Sequence, residues 1–313
     1  MHTAGSGNPQ EGLRPWQAAL VGTAAGVVYG LFGFFLLRVF ESPRMGQTLF
    51  LLLPFAVGAT IAMVTPRPMA AVALLSASIS LLFCLAGLIV ARKEGILCAI
   101  LAFPLILTAL AIGVGAGLLL RLLFRPSRNF TTNCLILLAA PVLVFGGHSL
   151  EMKTFTQART LSITTTMHLR ATPDEVWANI QSLDKLAGRK PLLMHMGLPV
   201  PQRCELRGAS VGSKRICYFD QGSIEETVLE WNPPARMRLA VDRTNLPGRH
   251  WLEFDGAEYD LQGDGTGTTI TRVTTIRSNL SPAWYWARFE IWGVESEHEY
   301  LFSDLAHRFT DHR

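Results

Sequence analysis

Charge is what this chain has least of. Only 17% of its 313 residues are Asp, Glu, Lys or Arg, and 49% are hydrophobic, against about 25% charged in an ordinary soluble protein. The shortage is uneven, with charges sparse before about residue 148 and dense after it. That distribution excludes a single soluble globule and points to a membrane half followed by a soluble half. No apolar stretch has a charge in its middle, so a proton relay or ion path has no support. Lys and Arg outnumber Asp and Glu by 28 to 24. Much of that excess lies in short loops between apolar runs and forms no basic stripe, so no nucleic-acid partner is expected. The five cysteines include no C-x-x-C pair, which removes zinc-ribbon and dithiol-redox readings. Walker loops and dinucleotide fingerprints are likewise missing, and no cofactor is expected.

What is there begins with a polar, Gly-rich tail, 1–15. The apolar run after it is too long for a signal peptide and is followed by others, so it reads as a retained first span. Crossing a bilayer takes roughly 20 residues. Five segments qualify: Trp16–Phe40, Thr48–Val64, Met69–Ala91, Ile96–Phe124 and Asn133–Gly147. The last is the shortest and contains Pro141, which leaves four spans as the alternative. Short connections make the bundle antiparallel. Gly22, Gly26 and Gly30 repeat at four-residue spacing, and Gly113, Gly115 and Gly117 crowd the fourth span, as small residues do where helices pack closely in lipid. Arg14, Arg67, Arg121, Arg125 and Arg128 fall on one side; Arg38, Arg44, Arg92 and Lys93 fall on the other. The cluster after the fourth span puts the N-terminus inside. With five spans the C-terminal domain is then outside, periplasmic at a bacterial inner membrane. The loops of Glu41 and Arg92–Gly95 share its side.

After a linker, 148–159, the pattern changes. Ser162–Arg170 alternates as a strand. Thr172-Pro173-Asp174-Glu175 is a capping box opening a helix with Val176, Trp177 and Ile180 on one face. Asp184–Met194 reads as a second short helix. Strands follow at Arg203–Leu206, Ser213–Phe219, Ser223–Trp231, Arg236–Asp242, His250–Leu261 and Thr268–Arg277, separated by Gly- and Pro-rich turns. Ser281 as N-cap and Pro282 at the first position then open a helix running to Phe309. Strand, helix pair, antiparallel strands and long helix make an α+β domain, 160–313, with a curved sheet gripping the last helix.

Ala171–Trp177 after a strand, Gly212-Ser-Lys-Arg, the run Gly222–Pro234 and the closing helix together resemble the START-like, or SRPBCC, superfamily. The nearest branch is the polyketide cyclase/dehydrase and lipid-transport type. The membrane half, with Glu94–Cys98 opening a span, is similar to uncharacterised bacterial membrane proteins carrying such a domain. The resemblance implies an apolar cavity between sheet and last helix, and a lipid or other hydrophobic small molecule as partner. It does not choose between a membrane-anchored binder, a cyclase/dehydratase-type enzyme and a structural or regulatory protein without a ligand.

At 100° per residue, one stripe of the closing helix holds Trp284, Ile291, Val294, His298, Leu301, Phe302, Leu305 and Phe309. Trp284, Ile291, Val294, His298 and Phe302 are the expected cavity wall, joined by Arg272 and Glu226 if their strands turn those side chains inward. His298 is either a hydrogen-bonded core residue or a polar group lining a pocket. Tyr285, Trp286, Phe289 and Trp292 lie opposite, an aromatic cluster expected either to face the membrane or the nearby loops or to be covered within the domain by the short helices after Thr172 or the loop Asn245–Arg249. Glu295, His298, Glu299 and His307 have metal-binding atoms but do not converge, so no metal is expected. Cys204 and Cys217 flank a turn centred near Ala209–Val211. They are either opposed at disulfide distance or two free thiols.

Overall fold

A computed structural model describes residues 14–39, 46–65, 69–90, 95–124, 130–154, 158–181, 183–246 and 252–310. The tail to residue 13, Glu41, Arg92–Glu94 and Pro247–Arg249 lie outside them. The chain divides into two compact units, one of residues 1–42, 47–91 and 102–155, the other of 43–46, 92–101 and 156–313.

The first unit is helical: α1 (Pro15–Val39), α2 (Leu53–Val64) entered through a π-helical turn at Thr48–Leu52, α3 (Ala70–Val90), α4 (Ile96–Phe124), whose residues up to Leu101 belong to the second unit, and α5 (Phe130–Thr154). Among the described residues three helices are long and apolar enough to cross a membrane, Pro15–Phe35, Ala70–Val90 and Ile96–Leu123; Thr48–Val64 is apolar but shorter. The α5 helix runs past Gly147 to Thr154, so most of the expected linker is helical. Polar side chains and missing Cβ atoms knit the unit together. Ser76 Oγ donates to Ala19 O at 3.1 Å and Ser80 Oγ to Thr23 O at 3.0 Å. A Cβ at Gly26 would lie 2.4 Å from Ser80 Oγ, and one at Gly113 would lie 2.1 Å from Phe55 O. Glu151 accepts the backbone N–H groups of Gln47 and Thr48 at 2.5 and 3.0 Å, neutralising the donor-rich start of the α2 segment.

The second unit holds a seven-stranded antiparallel sheet in the order β1-β7-β6-β5-β4-β3-β2. Its strands are β1 (Arg159–Leu169), β2 (Pro201–Arg207), β3 (Lys214–Phe219), β4 (Gly222–Asn232), β5 (Arg236–Thr244), β6 (Leu252–Gly263) and β7 (Thr268–Ser278). Register shifts at Glu225/Glu226 and Val228/Glu230 in β4 and at Phe254/Gly256 in β6 are the bulges that bend such a sheet. Gly256 at the second has no room for a side chain, since its Cβ would meet Leu239 O at 2.3 Å. The long helix α8 (Ala283–Thr310) completes a helix-grip architecture.

The helix α6 (Pro173–Gln181) begins with the expected capping box, Thr172 N–H donating to Glu175 Oε2 at 2.8 Å. Its Val176, Trp177 and Ile180 pack with Val228, Met237, Leu239, Ile270, Phe302 and Leu305 in the main core. The expected helix over Asp184–Met194 shrinks to one turn, α7 (Leu192–His195). The residues before it give their backbone N–H groups elsewhere. Leu186 N bonds Gln202 O at 2.9 Å, Ala187 N bonds Asp304 Oδ1 at 2.8 Å and Arg189 N bonds Ser303 Oγ at 2.9 Å. Tertiary partners thus take the donors that a helix would use. At the start of α8, Pro282 rather than Ser281 supplies the carbonyl that accepts the first helical bonds, from Tyr285 and Trp286.

Candidate functional site

The inner face of the sheet mixes apolar residues with buried Thr268, Thr274 and Ser278 and carries one band of charged side chains. Arg215 on β3 faces Glu226 on β4 in direct register. Their side chains meet at 3.0 Å with 3% and 8% of their surface exposed. On β7, Arg272 stands opposite Tyr259 of β6 and reaches Glu297 of α8 at 2.8 Å. Tyr259 is buried, with the Arg272 Cζ 5.3 Å and the Arg215 Cζ 5.9 Å from its ring centre. Burial pushes the Glu297 carboxyl above the ordinary carboxylate range, against the pull of Arg272.

His298 is fully buried between two hydroxyls, Thr274 Oγ1 at 2.7 Å from Nε2 and Thr165 Oγ1 at 2.9 Å from Nδ1. Burial, with Arg272 nearby, pushes its pKa down to about 2. The ring is neutral and both nitrogens are occupied. Glu290, also buried, binds Arg159 and Ser278. Among the described residues no three His, Cys, Asp or Glu side chains converge on a metal-sized site.

Of the residues expected to line the interior, Val294, His298, Phe302, Arg272 and Glu226 are buried and Ile291 is half-buried. Trp284 is 69% exposed, whereas Trp286, expected outside, is 4% exposed. These two positions are corrected by the way α8 winds. Five of its buried residues, Trp286, Glu290, Val294, His298 and Phe302, are spaced by four. Each step of four advances about 40° around a helix of 3.6 residues per turn. The buried line therefore turns through about 160° along this row, as it does when a helix crosses a surface along its i±4 ridge. Trp284 shares the angle of Phe302 but not its cover. Trp292 is exposed, Phe289 is half-buried, and Tyr285 donates to Leu101 O at 2.5 Å.

Cys204 and Cys217 face each other across β2 and β3 with their sulfurs 2.07 Å apart. Gly208-Ala-Ser-Val-Gly212 spells G-x-S-x-G, yet it occupies the turn between these strands. Ser210 there meets Ser213, its N–H donating to Ser213 Oγ at 3.2 Å. It is not the strand-to-helix turn that exposes a nucleophile.

The inner face is not sealed evenly. Ile163, Ile276 and Val294 are buried, while Leu161, Leu252, Phe254 and Ile291 packed against them keep part of their surface accessible. Cross-strand pairing puts Leu161 and Phe254 on the same face as Ile276. These residues lie under the first half of α8, which contributes Ile291 and Val294 to them.

Residues 160–309 match the family described as polyketide cyclase / dehydrase and lipid transport. The chain thus carries a START-like domain. Solved structures similar to it include a protein from Nitrosospira multiformis (15% identity, 48% of this chain and 97% of that one, TM-score 0.33). A protein from Mycobacterium smegmatis is another (12%, 50% and 99%, 0.35), as is the Aha1 dimer from Colwellia psychrerythraea (15%, 47% and 98%, 0.29). No curated protein matches the chain.

Proposed function

We propose that the START-like domain binds a lipid or other hydrophobic small molecule between its sheet and α8, and that the N-terminal helices anchor it to a membrane. The observation that carries the reading is the incompletely sealed apolar end at Leu161, Leu252, Phe254 and Ile291, in a domain whose family description names lipid transport. Apolar groups left partly open on an inner face are what an apolar ligand would cover. Three apolar helices support the anchor, and a tether suits a ligand that partitions into the bilayer. The full reading is a bundle of five spans over 16–147, a helix-grip domain over 160–313 and, from the arginine distribution, the domain on the periplasmic side of a bacterial inner membrane. Exposed Trp284 and Trp292 suit the headgroup layer.

The test is solvent extraction of the chain purified from its own membranes, analysed by mass spectrometry. One apolar compound in stoichiometric amount is expected, and Thr165→Trp, which fills the inner face, should lose it. Extracts without such a compound, or equal amounts from both proteins, contradict the reading. Conversion of the compound on incubation would instead favour a cyclase/dehydratase-type enzyme.

A further inference from the structure

We infer that the interior takes an acidic amphiphile, a long-chain carboxylic acid whose carboxylate sits on the Arg272 and Arg215 guanidiniums beside Tyr259. The inference rests on the apolar-ligand reading and names its ligand class.

Each guanidinium has five N–H donors and no acceptor. Arg215 directs two contacts, Nη1 to Glu226 and a long one of 3.4 Å from Nη2 to Ile180 O. Arg272 makes one ion pair, its Nη1 lying 2.8 Å from Glu297 Oε2 without a hydrogen bond. Nε of both arginines is buried with no hydrogen-bond partner among the described residues. Arg215 is 2% exposed and Arg272 is 7% exposed. Native interiors seldom leave such donors unmet, and a planar fork of them matches a carboxylate in shape and charge.

Space for the ligand is indicated beside the band. Glu297 keeps 19% of its side-chain surface although its carboxylate is tied to Arg272, and Thr165, bonded to His298, is only half-buried. The open apolar end lies on the same face, near Ile276, four residues along β7 from Arg272. At about 3.3 Å per residue that is roughly 13 Å. A molecule with its acid on Arg272 and its chain running towards Phe254 and Ile291 fills both requirements.

Charge arithmetic favours a single negative charge. Arg215 and Arg272 carry two positive charges, and Glu226 and Glu297 balance them. Glu297 is the carboxylate that burial disfavours, so it is the one to give way to an incoming anion by taking a proton. That exchange frees one positive charge and accommodates one carboxylate.

The test uses the full chain in lipid nanodiscs, with palmitate and 1-hexadecanol as probes of the same apolar length, their binding followed by calorimetry. Palmitate is expected to bind at least tenfold more tightly than hexadecanol. Arg272→Gln should remove that preference and leave hexadecanol unchanged. Should Arg272→Gln not fold, Glu297→Gln serves, since removing the resident carboxylate should strengthen palmitate several-fold and leave hexadecanol as before. Equal binding of the two probes to the unsubstituted chain, as when internal water satisfies the guanidiniums, overturns the acidic headgroup and leaves the apolar-ligand reading standing. Binding of neither probe overturns both.

Discussion

His298 shows how a single buried residue sets a pH response. Its folded value, about 2, lies below its ordinary value of 6.5. Below pH 6.5 the unfolded chain takes up a proton that the folded chain refuses, so stability is full above that pH and falls as pH drops. Glu297 acts in the opposite sense. Its value is raised, so its contribution is present below its ordinary 4.5 and is lost as pH rises through the folded value. The histidine effect is therefore read as a difference. Between pH 6.5 and 5.5 the domain should lose about 1 kcal/mol more stability in the natural chain than in His298→Asn. Guanidinium unfolding followed by tryptophan fluorescence measures this, and equal losses would remove His298 as the cause. The Arg215–Glu226 pair gives a second prediction. Arg215→Ala should cost about 3–5 kcal/mol by stranding the buried carboxylate, whereas Arg215→Met with Glu226→Leu should cost far less. A double variant as unstable as the single one contradicts this. Sequence alternation alone did not orient Arg272 or Glu226, because their strands carry polar residues on both faces. The partner Arg215 was nevertheless within reach. The tight turn at Asp220–Gln221 pairs Phe219 with Gly222, and counting back pairs Arg215 with Glu226. Glu297 and Glu290 had no such signal, since their burial depends on how α8 crosses the sheet.

At the scale of elements, the legible features were those encoded locally. The capping box at Thr172 forms as its spacing indicates, because two side chains three residues apart satisfy each other. The strands came from period-two alternation and turn residues, with boundaries off by a few positions. Two misplacements share a cause. The segment before Leu192 and the burial of α8 are both set by long-range partners, Asp304 and Ser303 for the one and the curved sheet for the other, and no local pattern carries that information. The glycines of α4 illustrate the same limit. Gly113, Gly115 and Gly117 look alike in sequence, yet a Cβ at Gly113 would strike the Phe55 backbone while one at Gly115 meets nothing within 4 Å. Gly113→Ala should therefore destabilise the helical unit by about 1–3 kcal/mol through overpacking, and Gly115→Ala should be neutral or slightly stabilising. Thermal denaturation in detergent separates them; equal midpoints for the two variants would count against the close α2–α4 approach.

For the molecule as a whole, charge distribution along the chain marks two regimes, and the structure divides into two units. The helix count is where composition and structure diverge. Among the described residues three helices meet the length and hydropathy needed to span a bilayer, and Thr48–Val64 falls short. Composition names the neighbourhood and fold pattern names the architecture, but neither names a ligand, because one helix-grip scaffold serves many chemistries. The central claim is that an apolar molecule lies between the sheet and α8. The most direct measurement is photolabelling of the full chain in its membrane with a diazirine-bearing fatty acid, followed by peptide mapping. Labels are expected at inner-face residues Leu161, Phe254 and Ile291, and excess unlabelled palmitate should suppress them. Labels confined to α1–α5, with none on the inner face of the sheet or on α8, would contradict the account.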